Sequence, residues 1–337
     1  MPVCSVTPFA KLRPRSQSDR VYSISSEMEP ASCRLVDFFP GTPRAARSYD
    51  GKDGEGGCGV ENRVIVSGSG GLRELFVPGL RWGKAARLEG AGALCAGQER
   101  LFCACAPGDV IWRLDAQSLM PTALFAGGPG IRALSLSADG KRLYALCGDA
   151  DSLLMLDAQT GAPMIVNRVG MGPCAMAMDE TGRVIAVAGG ECARAVLLCA
   201  STLDVIGSLP MPGMVVGVAL QRGMVHALCL SETLSSTLTT VLPGGGRRTL
   251  TLRGMPGTLS LRRGMLLAAT HGHLYAVSED GSRVLCEDSA AGRASRLLLC
   301  GEELLLLDML GEALLVRERG DGGWCAAAEG VRDAATA

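Results

Sequence analysis

Apolar residues in this chain come in short runs that Gly or Pro interrupts every 6 to 10 residues. Few windows place apolar side chains at i, i+3 and i+4, so the pattern predicts strands rather than helices. One element recurs. A turn leads into an apolar strand in N-R-V-I-V-S-G from Asn62, E-R-L-F-C-A-C-A from Glu99 and K-R-L-Y-A-L-C-G from Lys141. It returns in G-R-V-I-A-V-A-G from Gly182, G-M-V-H-A-L-C-L from Gly223, G-M-L-L-A-A-T-H from Gly264 and E-E-L-L-L-L-D from Glu302. The central starts, Gly182, Gly223 and Gly264, are 41 residues apart, and the outer spacings run from 37 to 42.

Each turn-strand has companions. Six are preceded by another short apolar run, such as A-L-S-L-S or A-M-A-M-D. A third strand follows, such as S-L-L-M-L-D or A-V-L-L-C-A, and in most units a fourth, such as P-M-I-V-N-R-V or R-T-L-T-L-R. Asp139-Gly140, Thr181-Gly182 and Asp280-Gly281 supply the residues that tight hairpin turns demand. Each unit therefore reads as a four-stranded antiparallel meander of about 40 residues. A meander this apolar on both faces would expose edges and faces if it stood alone. Radial packing about an axis gives every sheet two neighbours, so seven units predict an all-β fold, a seven-bladed β-propeller of four-stranded antiparallel blades.

The span from Gly127 to Gly190 carries a finer pattern. G-G-P-G-I-R-A-L-S-L-S-A-D-G-K-R-L-Y-A-L-C-G-D-A-D-S-L-L-M-L-D-A-Q-T-G resembles the YVTN-type repeat of the YncE-like seven-bladed propellers. That repeat has a Gly-x-x-Pro lead-in, an apolar strand, a D-G turn and a closing D-x-x-T. The next unit opens V-G-M-G-P-C-A-M-A-M-D-E-T-G, Gly213 to Leu238 matches in part, and the remainder follows only in spacing. The Asn that ends the family's second strand is absent throughout. A WD40 ring is disfavoured, because Trp82, Trp112 and Trp324 are isolated and no Trp-Asp pair recurs.

Composition narrows the setting. With 337 residues, 47% hydrophobic and 20% charged, the chain can build a large core. A net charge of −1 gives no general electrostatic case for nucleic acid or an anionic membrane. No run of 18 apolar residues predicts a membrane span, and the N-terminus lacks the apolar segment of a secretory signal, so the cytoplasm is the expected compartment and a monomer the expected state. Fourteen cysteines sit mostly inside apolar runs and read as small buried hydrophobes. Cys103 and Cys105, the single C-x-C, would share one face of a strand but lack further metal ligands.

Residues 1–32 are expected to be a disordered tail, residues 33–328 the propeller with a flexible insertion at about 40–61, and residues 329–337 a frayed end. Cys33 to Phe39 is strand-like and would be the innermost strand of the first blade. The ring would close by mixing strands from both termini, with Val21 to Ser25 as a further contribution. Trp324 to Glu329 reads as a weak fourth strand of the last unit.

Candidate chemistry sits on loops. In such a ring the loop after the second strand and the loop between blades share one face, around the channel mouth. The polar residues there include Asp109, Asp149 with Asp151, Glu191, Glu232, His271 with His273, and Asp308, with Arg132, Arg168, Arg253 and Arg293 on the interblade side. Asp149, Glu191, Glu232, His271, His273 and Asp308 are the candidate ligand-binding set, for a cation or a polar ligand. Against this stands the plain alternative that charged loop residues are merely solvated. On a strand, His271 and His273 would face one way, whereas a turn through Gly272 would leave both facing water. His226, inside M-V-H-A-L-C-L, reads as a hydrogen-bonded core residue. No metal or cofactor is implied, and no phosphate loop, nucleophile elbow or haem attachment motif occurs. The expected function is a non-catalytic binding or protein-interaction scaffold. The alternative is a lactonase-like hydrolase, with Glu191 or Glu232 as base and an interblade Arg or His271 stabilising the oxyanion.

Overall fold

The computed structural model describes residues 62–336, apart from 69, 78–79, 98, 107–108, 171, 263, 290–291, 293, 301–302, 309–312, 318–323 and 330. These residues form 28 strands in seven four-stranded antiparallel sheets, and the sheets are the blades of a β-propeller. Blade 2 covers residues 91–126, blade 3 131–168, blade 4 173–210, blade 5 214–252, blade 6 256–289 and blade 7 294–329. Blade 1 takes three strands from residues 62–86 and its fourth from Val331–Thr336.

The seven turn-strands of the sequence are the second strands of the blades, and their double-sided apolar character has a direct cause. In Arg142–Cys147 of blade 3, the five residues after the arginine are all fully buried. Tyr144 and Leu146 pack with Ile185, Val187, Val196 and Leu198 of blade 4. Leu143, Ala145 and Cys147 turn the other way, to Phe102, Ala104 and Ile111 of blade 2. Side chains alternate across a strand, so each blade must be apolar on both faces to fill both gaps. Each fully buried leucine contributes roughly 1.5–3 kcal/mol. The one polar atom of this row is satisfied, since the Tyr144 hydroxyl donates to the carbonyl of Ala200 in blade 4 at 2.8 Å. The fourth strands lie at the rim and are largely exposed, as in Pro163–Arg168 and Val205–Pro210.

The turns differ in detail from two-residue hairpins. Gly140, Gly182 and Gly281 each donate a backbone N–H to the residue three before, at 2.9, 3.0 and 2.8 Å. Each turn therefore spans four residues, and the left-handed glycine ends it. The first two join first and second strands, while the third joins the last two strands of blade 6.

Ring closure mixes early and late strands in one sheet, as expected, but the strands that do it differ from those expected. The innermost strands lie side by side around the channel, and that of blade 1 is Val331–Thr336, between Ala294–Cys300 of blade 7 and Ala91–Ala96 of blade 2. The place expected for Cys33–Phe39 is thus filled, and the stretch after Gly330, expected to fray, is a paired strand with Val64 opposite Thr336 and Ile65 opposite Ala335. Ala334 and Ala335 are buried. Their small side chains suit a crowded position, and Asp333 fastens the strand on both sides. Its carboxylate accepts two bonds from Arg296 Nη1 of blade 7, both at 2.5 Å, and one from the Leu94 N–H of blade 2 at 2.7 Å. The Ser67 hydroxyl of blade 1 adds a bond to the Gly92 carbonyl of blade 2 at 2.7 Å. Cys33–Phe39, Val21–Ser25 and the insertion at 40–61 lie outside the described residues.

Candidate functional site

In a four-stranded meander the connections alternate ends, so second-to-third-strand loops and interblade turns share one end of every blade. Blades 3 and 4 show how the loops are held. The Gly148 N–H donates to the Gly130 carbonyl at 2.9 Å, and the Gly130 N–H donates to Asp109 Oδ1 of blade 2 at 3.2 Å. One blade on, Gly190 bonds to the Gly172 carbonyl at 3.0 Å, and the Gly172 N–H donates to Asp151 Oδ1 at 2.9 Å. Asp109 and Asp151 are therefore braces. Each accepts from the interblade turn that leads into the next blade.

Asp149, Glu191 and Asp308 occupy a second equivalent place. Each carboxylate lies against the interblade glycine of its own blade, where an added Cβ would come within 2.3 Å at Gly130, 3.0 Å at Gly172 and 2.5 Å at Gly292. Asp149 also pairs with Arg132 at 3.0 Å, with both side chains more than half exposed, an arrangement worth at most about 1 kcal/mol. Glu232 is exposed, on a loop whose hydroxyls bond one another, Ser231 to Thr233 at 2.9 Å and Ser231 to Ser235 at 2.8 Å.

His271 and His273 do not share a strand face. Thr270 pairs with His273, so His271 and Gly272 form the two-residue turn between them, and the His271 ring is exposed. His273 opens the next strand. Its Nδ1 meets Glu287 Oε1 at 2.9 Å, its ring stacks on Tyr275 at 5.9 Å, and the Tyr275 hydroxyl donates to the same Glu287 oxygen at 3.3 Å. The Arg253 N–H donates to the Tyr275 oxygen at 3.1 Å. Burial first, and then the Glu287 charge, pushes the Tyr275 phenol up to about 12. Arg168 and Arg253 are exposed, and Arg293 lies outside the described residues.

The candidate set is thus distributed around one mouth rather than gathered at one point. The two glutamates and the histidine of the lactone-hydrolase reading stand on blades 4, 5 and 6. Among the described residues no three His, Cys, Asp or Glu side chains converge as metal ligands.

The structure adds residues that the sequence reading passed over. Each innermost strand carries a bulge near the mouth, which re-aims one residue. In blades 1 and 4 that residue is Arg332 or Cys174, both exposed, and in blade 3 it is Arg132, already an interblade candidate from the sequence. At the other end of the blades, Asp115 and Asp157 hold the turn between third and fourth strands by accepting from Ser118 and Thr160. Blade 4 has Cys199 in that position, with its sulfur 3.2 Å from the Ser201 hydroxyl. The hydroxyl and N–H groups of Ser201 and Thr202, built to hold a carboxylate in sister blades, bring the thiol down to about 7. The signal was the D-x-x-T repeat, read as C-x-x-T.

No family model and no curated protein matches the sequence. Solved structures do. A functionally unknown protein from Desulfotomaculum acetoxidans superposes with a TM-score of 0.69 at 11% identity, over 82% of this chain and 98% of that one. Hydrazine synthase of Kuenenia stuttgartiensis gives 0.59 at 11%, over 77% and 95%. BamB from Moraxella catarrhalis gives 0.54 at 13%, over 76% and 81%. Identities this low establish a shared fold, and with the seven sheets they define the class, a seven-bladed β-propeller. No helix among the described residues is long and apolar enough to cross a membrane.

Proposed function

We propose that this propeller is a non-catalytic binding scaffold that presents the loops around its channel mouth to a partner. One observation carries the reading. The mouth loops are tied to the interblade turns by Asp109, Asp149 and Asp151, and this fixes exposed ionic groups of several blades in one rim. Arg132, Glu191, Glu232, His271 and Arg332 stand on different blades and are all solvent-accessible. A preorganised rim loses little freedom on binding, which favours recognition. The YVTN-type likeness of Gly127 to Gly190 supports a YncE-like ring. The free described cysteines agree with work in the reducing cytoplasm.

The test replaces Glu191, Glu232 and His271 by alanine together and compares proteins retained from native lysate by the folded parent and variant rings. Specific partners kept by the parent and lost by the variant support the scaffold reading. Identical retention by both rings overturns it.

A further inference from the structure

The end of the ring opposite the mouth carries a cleft of about 740 Å³ between blades 2 and 3. It exists because side chains are missing where the blades meet. Ala96, Gly97, Ala138 and Gly140 line it, and a Cβ on Gly97 would already touch Leu136 at 3.0 Å. Leu136, half-buried, gives the cleft an apolar wall, and Phe102 lies fully buried behind it. The outer side is tied across the blades by Arg113. Its guanidinium donates to the Gln159 carbonyl of blade 3 and to the Thr122 hydroxyl of blade 2, the latter at 3.0 Å.

The rim carries both signs of charge. Asp139 Oδ1 accepts from the Ser137 hydroxyl at 2.6 Å and the Lys141 N–H at 3.1 Å. Asp157 Oδ1 accepts from the Thr160 N–H at 2.7 Å and the Thr160 hydroxyl at 2.9 Å. These bonds hold both carboxyls below the usual range, so both are ionised at neutral pH. These bonds engage Oδ1 of each carboxylate, and both residues line the cleft. Glu99 adds a third acid. Arg100 and Lys141 supply two cations, and no described residue forms a close ion pair with either. A purely anionic ligand would meet three carboxylates, and a purely cationic one two cations. A dipolar ligand satisfies both.

We propose that this cleft binds a short peptide with free ends, its carboxylate on Arg100 and Lys141, its ammonium on Glu99, Asp139 and Asp157, and an apolar side chain on Leu136. The volume lies within the usual range of small-ligand sites and exceeds the needs of a single amino acid. The site is separate from the mouth and stands or falls independently of the scaffold reading.

Calorimetric titration of the full chain with Ala-Phe-Ala, its N-acetylated form and its C-amidated form decides the matter. Saturable binding of the free tripeptide, weakened about tenfold or more by either cap, is expected, because each cap removes a charge-assisted contact. The Arg100→Gln/Lys141→Gln protein should bind more weakly and become indifferent to amidation. Glu99→Gln should reduce the penalty of acetylation. Arg283→Gln, a charge removed from an exposed turn of blade 6, should change nothing. Absence of saturable binding, equal binding of capped and free peptides, or affinity untouched by the cleft substitutions would each overturn the proposal. Circular dichroism of every variant separates loss of the site from loss of the fold.

Discussion

Replacing Asp333 by alanine removes the fastening of the closing strand. Asp333 is 8% exposed and bridges three blades: Arg296 of blade 7, its own strand in blade 1, and the Leu94 N–H of blade 2. Removing one partner of a buried ion pair costs about 3–5 kcal/mol, because the other charge is left uncompensated. The Arg296 side chain is 36% exposed, so water recovers part of its solvation and the lower end of that range applies. The orphaned Leu94 N–H costs about 1 kcal/mol on its own. Together these give a loss of about 4 kcal/mol, or a drop of about 8–16 °C in Tm for a domain of this size. Urea unfolding followed by circular dichroism measures it. Asp149→Ala serves as the reference, since it breaks an exposed pair and should cost no more than about 1 kcal/mol. In a cycle with Arg296→Met, the double variant should lose at least about 1 kcal/mol less than the two singles added. If Asp333→Ala unfolds within about 0.5 kcal/mol of Asp149→Ala, the fastening role is wrong.

Three further outcomes are expected. Gly254 (φ 78°) and Gly140 (φ 66°) are both left-handed, but an added Cβ at Gly254 meets the backbone carbonyl of His271 at 2.4 Å whereas at Gly140 it meets nothing within 4 Å. Gly140→Ala should therefore cost about 1–2 kcal/mol of backbone strain alone, and Gly254→Ala measurably more in the same urea assay. His226 is fully buried, with Nδ1 2.9 Å from the Thr240 hydroxyl, and burial brings it down to about 4. Since its folded value lies below the unfolded one, the unfolded chain binds the extra proton as pH falls from about 6.5 to 4. Up to about 3 kcal/mol of stability should be lost across that window, and His226→Gln should flatten this part of the Tm-against-pH curve. Cys199 should alkylate with iodoacetamide with an apparent midpoint near pH 7, well below the ordinary thiol value. Peptide mapping that shows Cys199 no faster than Cys174 at pH 7.5 would refute the shared-turn argument.

What the sequence revealed and what it hid follow one rule. The second strands were legible because both of their faces pack against neighbouring blades, so L-Y-A-L-C and V-I-A-V-A are apolar without alternation, a pattern few other folds require. The D-x-x-T turns were legible because short polar side chains must cap the same backbone groups each time. V-R-D-A-A-T was misread as a frayed end because its closing role depends on small size and on one carboxylate whose partners lie in two other blades. The strand order was enough to assign the candidate residues to loops, but the sequence could not show that Asp149, Glu191 and Asp308 rest on interblade glycines, nor that a bulge re-aims Arg332 and Cys174. The cleft was invisible because it arises from alanines and glycines, which leave no signal in a pattern of polar and apolar positions.

The closing strand has a consequence for how the molecule is made. Ser67 and Asp333, hydrogen-bonded in the finished ring, are 266 positions apart in the chain. During synthesis the three strands at residues 62–86 emerge long before Val331–Thr336, the strand that pairs with their inner edge. An uncovered strand edge is a template for the wrong partner. Expression yield should therefore depend on how quickly the missing strand arrives, and a ring that lacks it should fail by aggregation rather than by simple unfolding.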